Sequence, residues 1–180
     1  DVASGLYGAV YRLWEALTMV TASLTDALFP ELSRLAGDVT LHATLRRLYR
    51  RAQGVLSAIA ALITLASLGA APWLLRLMYG RDMASPEAVG LLRMLALLIP
   101  LGALYLLDGH LLYALGEQRR ATAVMVAVTL LNVAANGLAV WQWGLWGAAG
   151  VALICEIALL LLMRRQAHRA LALRIAFEAK

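Results

Sequence analysis

Two long uncharged stretches constrain this chain more than any other feature of its sequence. The stretch from Ala52 to Leu75 has 24 residues without a charged side chain, and the stretch from Ala121 to Cys155 has 35. A helix needs about 20 mostly apolar residues to cross a bilayer. The first stretch is therefore long enough for one crossing, and the second is long enough for two.

The composition points the same way. Of the 180 residues, 62% are hydrophobic and 15% are charged, and the mean hydropathy is +0.75. Soluble domains have about 45–50% apolar and about 25% charged residues. We predict an all-α membrane protein with about five transmembrane helices, and we expect neither a soluble enzyme nor a nucleic-acid-binding module.

Apolar runs and helix breakers together place the helices. Pro30 is expected to end the first helix, because proline pushes the preceding residue out of the α region. Pro72 and Pro100 lie within spans, where we expect kinks, and Trp141–Gly144 is expected to divide the longest run. The predicted spans are about 4–29, 50–78, 88–115, 119–140 and 145–164.

Basic residues alternate between the ends of these spans. The 15 arginines and one lysine fall mainly in the first and third connections and after residue 164. Under the positive-inside rule, this pattern places the N-terminus outside and the C-terminus in the cytoplasm. Residues 1–164 then form the transmembrane bundle, and 165–180 a basic cytoplasmic tail. Because no initiator methionine is present, we expect the chain to be part of a longer protein.

The first helix has a polar face along its whole length. At 100° per residue, Arg12, Glu15, Thr18 and Asp26 fall in one arc of roughly 180°, opposite an apolar arc. Charges within a bilayer are costly and point to function. We expect this face to line a water-filled or ligand-binding cavity. The alternatives are a face that packs against helices outside this chain and an amphipathic helix on the membrane surface.

Three weaker candidates lie in the third and fourth spans. Asn132 and Asn136 are four residues apart and share a helix face, where they can join helices or contact a ligand. Arg93 lies near the outer start of the third span, where it can reach the interface or face a cavity.

Two acidic residues within the spans are candidates for ion coupling. Asp108 can bond to Tyr105 and serve structure, or it can take part in a proton relay. Glu156 has no evident local partner, so it can be an ion or proton site, a protonated buried acid or a partner for an arginine. His110, two residues from Asp108, is expected to bond to Tyr113.

Several motifs of enzyme chemistry are absent from the sequence. There is no P-loop motif, no H-E-x-x-H zinc motif and no G-x-S-x-G nucleophile motif. The three histidines and the single cysteine form no recognisable metal or nucleophile pattern. We therefore predict no enzymatic activity and no cofactor or metal, with Na⁺ or H⁺ as possible coupling ions.

Five motifs occur in an order that resembles the second half of Wzx-like polysaccharide flippases, which belong to the MOP exporter superfamily. They cover nearly the whole chain. They are Gly5–Leu13 followed by Leu28–Leu35, then Ala71–Gly80, Tyr113–Arg120, and Asn132–Asn136 leading to Gly144–Ala149.

The resemblance implies a transporter with twelve helices. This chain would supply the last five of them, as a polysaccharide biosynthesis C-terminal-type domain. The resemblance also implies export of a polyprenyl-diphosphate-linked oligosaccharide across the cytoplasmic membrane by alternating access. Arg12 would be the leading phosphate contact. The implied partners are membrane lipid, the lipid-linked glycan and the missing N-terminal half, but no nucleic acid. Alternatives are a non-transporting membrane scaffold of a glycan-synthesis complex and a multidrug exporter of the same superfamily.

Overall fold

A computed structural model describes residues 2–81 and 84–178, with side chains for 5–81 and 84–174. Those residues form helices and connections only. The helices are α1 (Val2–Ala36), α2 (His42–Tyr79), α3 (Pro86–Ala96), α4 (Leu98–Ala114) and α5 (Gln118–Glu178), with a short 3₁₀ turn at Val39–Leu41. The predicted all-α membrane fold is confirmed.

Three stretches are long and apolar enough to cross a bilayer by length and composition. They are Val39–Tyr79, Pro86–Ala114 and Gln118–Arg174. The last has 57 residues and contains a break, so it has the length of two crossings. α1 carries Arg12, Glu15 and Asp26 and is not among the three. The count of five spans stays a prediction.

The break in α5 lies at Gly144, within the segment where the sequence predicted it. Gly144 has φ 57° and ψ −137°, a conformation that side chains with a Cβ avoid. The helical segments 118–143 (α5a) and 145–178 (α5b) fold back on each other. A Cβ atom on Gly147 would lie 2.2 Å from the carbonyl oxygen of Ala139, so this hairpin needs glycine at 147.

The prediction that Pro30 ends the first helix was wrong. α1 continues through Pro30 to Ala36. Proline in a helix removes one backbone hydrogen bond, but Leu32, Leu35 and Ala36 are buried in the core beyond it. Burying those side chains outweighs the loss of that bond, since each large apolar side chain contributes about 1.5–3 kcal/mol.

The predicted third span, 88–115, consists of two helices, α3 and α4, separated at Leu97. Pro100 has no N–H to donate to the carbonyl oxygen of Ala96. Thr64 of α2 satisfies that oxygen instead, with Oγ1 at 3.1 Å. Pro100 was expected to kink one helix, and it accompanies a change from one helix to the next.

The predicted tail is also helical. α5b continues past residue 164 to Glu178, and Ala167, Ala170 and Leu171 are buried in the core. Arg174 donates to the carbonyl oxygen of Leu115 at 3.0 Å. The described part of the tail therefore packs on the bundle, and residues 179–180 lie outside the described residues.

Two apolar clusters lie at opposite ends of the bundle, with α4 packed against α1, α2 and α5. One cluster includes Leu32, Leu45, Leu115 and Met163, which flank the predicted cytoplasmic connections. The other includes Val10, Leu75, Ala88 and Ala149, which flank the predicted outer connections. The first and third connections thus meet at one end, which we call the basic end, as the alternation of charge predicted.

Candidate functional site

A cavity of about 380 Å³ lies between α1, α3, α4 and the two segments of α5. Successive turns of α5a and α5b face each other across it, because Gly144 reverses the chain. Its walls carry many aromatic and polar side chains, and none of the described residues that line it is basic. Those aromatic and polar residues are Tyr7, Tyr11, Trp14, Tyr105, Thr129, Asn132, Asn136 and Glu156.

Three aromatic residues of α1 form one wall. Tyr7, Tyr11 and Trp14 follow at intervals of four and three residues, so they share a helix face. The rings of Tyr7 and Tyr11 are stacked with centroids 5.9 Å apart, and those of Tyr11 and Trp14 are 5.0 Å apart. Tyr11 also lies within the predicted polar arc of this helix, whereas Tyr7 and Trp14 were not among the predicted cavity residues; their spacing from Tyr11 is the signal in the sequence that identifies this face.

The asparagine pair lies on the opposite wall. Asn136 Nδ2 donates to Asn132 Oδ1 at 2.9 Å within α5a. Each amide retains further donors and acceptors. The structure thus places the predicted pair on the cavity, facing α5b, where a ligand and a neighbouring helix are both within its reach.

Glu156 contributes the acidic group of the cavity. Its Oε2 atom is buried and has no hydrogen-bond partner among the described residues, and the same holds for Trp14 Nε1. Buried polar atoms in proteins are nearly always paired, so each exception calls for an explanation. A carboxylate oxygen without a partner at a cavity wall is free to accept a hydrogen bond, so the ion-coupling role of Glu156 stays a prediction.

The charged residues predicted on α1 do not line this cavity. Arg12 and Glu15 are exposed, and the described residues contain no ion pair between them. Thr18 Oγ1 donates to the carbonyl oxygen of Glu15 at 2.7 Å. Asp26 is also exposed, with Oδ1 3.5 Å from Nε2 of His110. Their role in a larger cavity stays a prediction.

The polar face of α1 is divided between the surface and the core. Thr21 and Thr25 are buried, with their hydroxyl groups bonded to the carbonyl oxygens of Thr18 and Thr21 at 2.9 and 2.7 Å. A threonine that bonds its own helix in this way needs no polar partner elsewhere. Only the charged part of the predicted stripe is therefore available to a ligand.

Arg93 bonds to the protein backbone. Its Nε donates to the carbonyl oxygen of Leu68 in α2 at 2.9 Å. In a regular helix the N–H group of residue 72 would donate to that oxygen, but residue 72 is proline and has no N–H. Arg93 does not line the cavity, and its contact joins α3 to α2 one turn before Pro72.

Asp108 lies in a buried polar network whose partners differ from Tyr105, the local partner that the sequence offered. It is fully buried, accepts a hydrogen bond from Tyr49 Oη, and lies 3.4 Å from Nε of Arg164. Gln53 Nε2 donates to the same tyrosine oxygen at 3.0 Å. The network joins α2, α4 and α5b, and its carboxylate is already paired.

The predicted bond between His110 and Tyr113 is also absent from the described contacts. The two ring centroids are 6.4 Å apart. Instead, Nδ1 of His110 lies 3.3 Å from the carbonyl oxygen of Thr25, because α4 packs against α1 along that face. The structure places His110 and Asp108 on different neighbours, because residues two apart lie on different faces of a helix.

Metal-ligand chemistry is not supported by the residues that the structure describes. Among residues 2–81 and 84–178, no group of three or more His, Cys, Asp or Glu side chains is close enough to hold a metal ion. Cys155 is buried beside Glu156 on the cavity wall and forms no disulfide. What the cavity offers is one carboxylate, two amides and aromatic faces.

Comparison with known proteins identifies the family. The sequence model of the MatE family matches residues 2–138, which include α1 to α4 and most of α5a. No curated protein and no solved structure gives a significant match. The chain is therefore a multi-pass membrane protein that belongs to the MatE family of the MOP superfamily, whose members are transporters rather than enzymes.

Proposed function

We propose that this chain is the C-terminal part of a flippase that exports polyprenyl-diphosphate-linked oligosaccharide across the cytoplasmic membrane. Family membership supports a transporter, which weighs against a non-transporting scaffold. The order of the five motifs supports this substrate class. In this proposal the missing first lobe completes the transporter, the N-terminus of the chain lies outside, and the C-terminus lies in the cytoplasm.

The observation that carries the proposal is the exposed charged face of α1. Arg12 is exposed, and no ion pair of its guanidinium occurs among the described residues. An unpaired charge at membrane depth normally faces a cavity rather than lipid. The planar fork of arginine bonds to phosphate oxygens in pairs, so this face would bind the diphosphate where it borders the first lobe.

We further propose that Glu156 couples transport to Na⁺ or H⁺. Its unpaired carboxylate oxygen lies at the cavity, apart from the proposed diphosphate contact. Asp108 is the weaker candidate, because Tyr49 and Arg164 already compensate its charge. Alternating access requires such a group to gain and lose its ion during the cycle.

A multidrug exporter is the second candidate function, and the cavity itself favours it. Glu156 and the rings of Tyr7, Tyr11 and Trp14 line one space, and no basic side chain of the described part of the chain lines it with them. A carboxylate beside aromatic faces suits a lipophilic cation, since a ring face attracts positive charge. Such a ligand would bind within the lobe rather than on the exposed face of α1.

Complementation of a strain that lacks the full-length gene tests the proposal. We expect Arg12→Ala to abolish glycan export, with Arg12→Lys partly active. Arg169→Ala, which removes an exposed arginine of α5b, is the matched control and should export normally. Normal export by Arg12→Ala would contradict the proposed diphosphate contact.

The same strains distinguish the two substrates and test the coupling residue. Ethidium accumulation is measured beside glycan export. Under the flippase proposal, Glu156→Gln reduces export while ethidium accumulation stays unchanged. Increased ethidium accumulation in the gene-deletion strain, without a defect in the glycan, would favour the multidrug exporter.

A further inference from the structure

Four arginines at the start of α2 form an uncompensated basic surface. Arg46, Arg47, Arg50 and Arg51 are all exposed, and no ion pair to any of them occurs among the described residues. Other arginines at the basic end do have partners: Arg34 bonds to Glu31 at 2.7 Å and Arg120 lies 3.3 Å from Glu117. Four positive charges within two helical turns, without an acidic partner among the described residues, form a surface that attracts anions.

The same face of α2 continues as an exposed apolar surface. At 100° per residue, six exposed residues of this helix fall within an arc of about 80°. From the basic end onward they are Arg47, Arg51, Val55, Leu62, Leu65 and Trp73. This order matches the layers of a bilayer. The arginines correspond to the headgroups of one leaflet, the apolar residues to the acyl chains, and the tryptophan to the opposite interface.

The length of this face matches a bilayer. Arg51 and Trp73 are 22 residues apart in one helix, which corresponds to about 33 Å at 1.5 Å per residue. The hydrocarbon core of a bilayer is about 30 Å thick. When Trp73 lies at one interface, Arg47 and Arg51 lie at the headgroup phosphates of the other.

We propose that Arg47 and Arg51, with Arg50 beside them, bind the headgroup of an anionic phospholipid whose acyl chains lie along Val55 and Leu62. The charge of the cluster selects an anion, and the apolar face that begins at Val55 selects one that carries acyl chains. The contact holds α2 at a fixed depth in the leaflet at the basic end. It requires neither a transport substrate nor the cavity, so it is independent of the proposed function.

Lipid binding by the purified full chain, measured by native mass spectrometry in a neutral detergent, tests this site. The probes are dioleoyl phosphatidylglycerol and dioleoyl phosphatidylcholine. A basic residue near an anionic surface contributes about fivefold in affinity, so we expect Arg47→Gln with Arg51→Gln to lose about 25-fold for phosphatidylglycerol. Binding of phosphatidylcholine should not change.

The matched control is Arg34→Gln with Arg120→Gln, which removes the same charge from arginines that have acidic partners. It should keep wild-type affinity for phosphatidylglycerol, and thermal unfolding in the same detergent establishes that both variants are folded. Equal binding of the two lipids by the wild type, or wild-type affinity in Arg47→Gln with Arg51→Gln, would overturn the proposal. So would full competition by inorganic phosphate at concentrations equal to those of the lipid, since the site would then recognise the anion alone.

Discussion

Arg93 Nε donates a 2.9 Å hydrogen bond to the carbonyl oxygen of Leu68, the atom that Pro72 leaves without a helical donor. A second contact joins the same two regions, with the donor now on α2. Thr64 Oγ1 donates to the carbonyl oxygen of Ala96, which has no helical donor because residue 100 is proline. In lipid no water is available to satisfy such oxygens. Each proline in these two spans is therefore tolerated because a neighbouring helix supplies the missing donor.

Arg93→Ala should destabilise the protein by about 1–3 kcal/mol, because it leaves the Leu68 oxygen unsatisfied. Thermal unfolding in detergent measures the effect. Pro72→Ala restores an N–H at residue 72, so the same Arg93→Ala change should cost much less in that background. An equal loss of stability on Arg93→Ala in the wild type and in the Pro72→Ala protein would show that Arg93 does not replace the hydrogen bond that Pro72 lacks.

Thr64→Val should also destabilise the protein, by about 1 kcal/mol or more, because it removes the donor to Ala96 while keeping the shape of the side chain. Thr64→Ser retains the hydroxyl group and is the control. We expect the unfolding temperature to decrease from the wild type to Thr64→Ser and further to Thr64→Val. A Thr64→Val protein as stable as the wild type would mean that the Ala96 oxygen has another donor.

Gly147→Ala should open the α5 hairpin. The added Cβ would lie 2.2 Å from the oxygen and 2.6 Å from the carbon of the Ala139 carbonyl group. Overpacking of this kind costs about 1–3 kcal/mol or more. Gly137→Ala, in the facing segment α5a and with nothing within 4 Å of its Cβ, should be neutral or stabilising. Similar unfolding temperatures for the two variants would contradict the observed close approach of the helices.

Asp108→Ala should be strongly destabilising. The change leaves the buried hydroxyl of Tyr49 without its partner and the partly exposed guanidinium of Arg164 without its counter-charge. Loss of the partner of a buried polar group costs about 1–3 kcal/mol. Asp26→Ala, at an exposed carboxylate of α1, should change the stability little. Unfolding in mixed micelles compares the two. A small loss for Asp108→Ala, equal to that for Asp26→Ala, would show that the network contributes little to folding.

Local sequence determined where the long helices lie. It also determined the helix breaks that depend on a single residue. The uncharged runs predicted α2 and both segments of α5, because a helix in lipid is specified by length and apolarity over a continuous stretch. The break near Gly144 followed from a residue whose backbone adopts conformations that others avoid. The asparagine pair at 132 and 136 followed from a spacing of one helical turn. All of these features involve residues close together in the chain.

Tertiary packing decided which polar groups form hydrogen bonds or ion pairs and which prolines end a helix. Asp108 pairs with Tyr49 and Arg164, which are 59 and 56 residues away, and spacing along one helix carries no information about such partners. Pro30 does not end α1, because the core holds the residues beyond it, whereas Pro100 accompanies the change from α3 to α4, where Thr64 supplies a donor. Thr21 and Thr25 of α1 are buried and its charges exposed for the same reason: the orientation of a helix depends on the neighbours that cover it, and those neighbours come from distant parts of the chain.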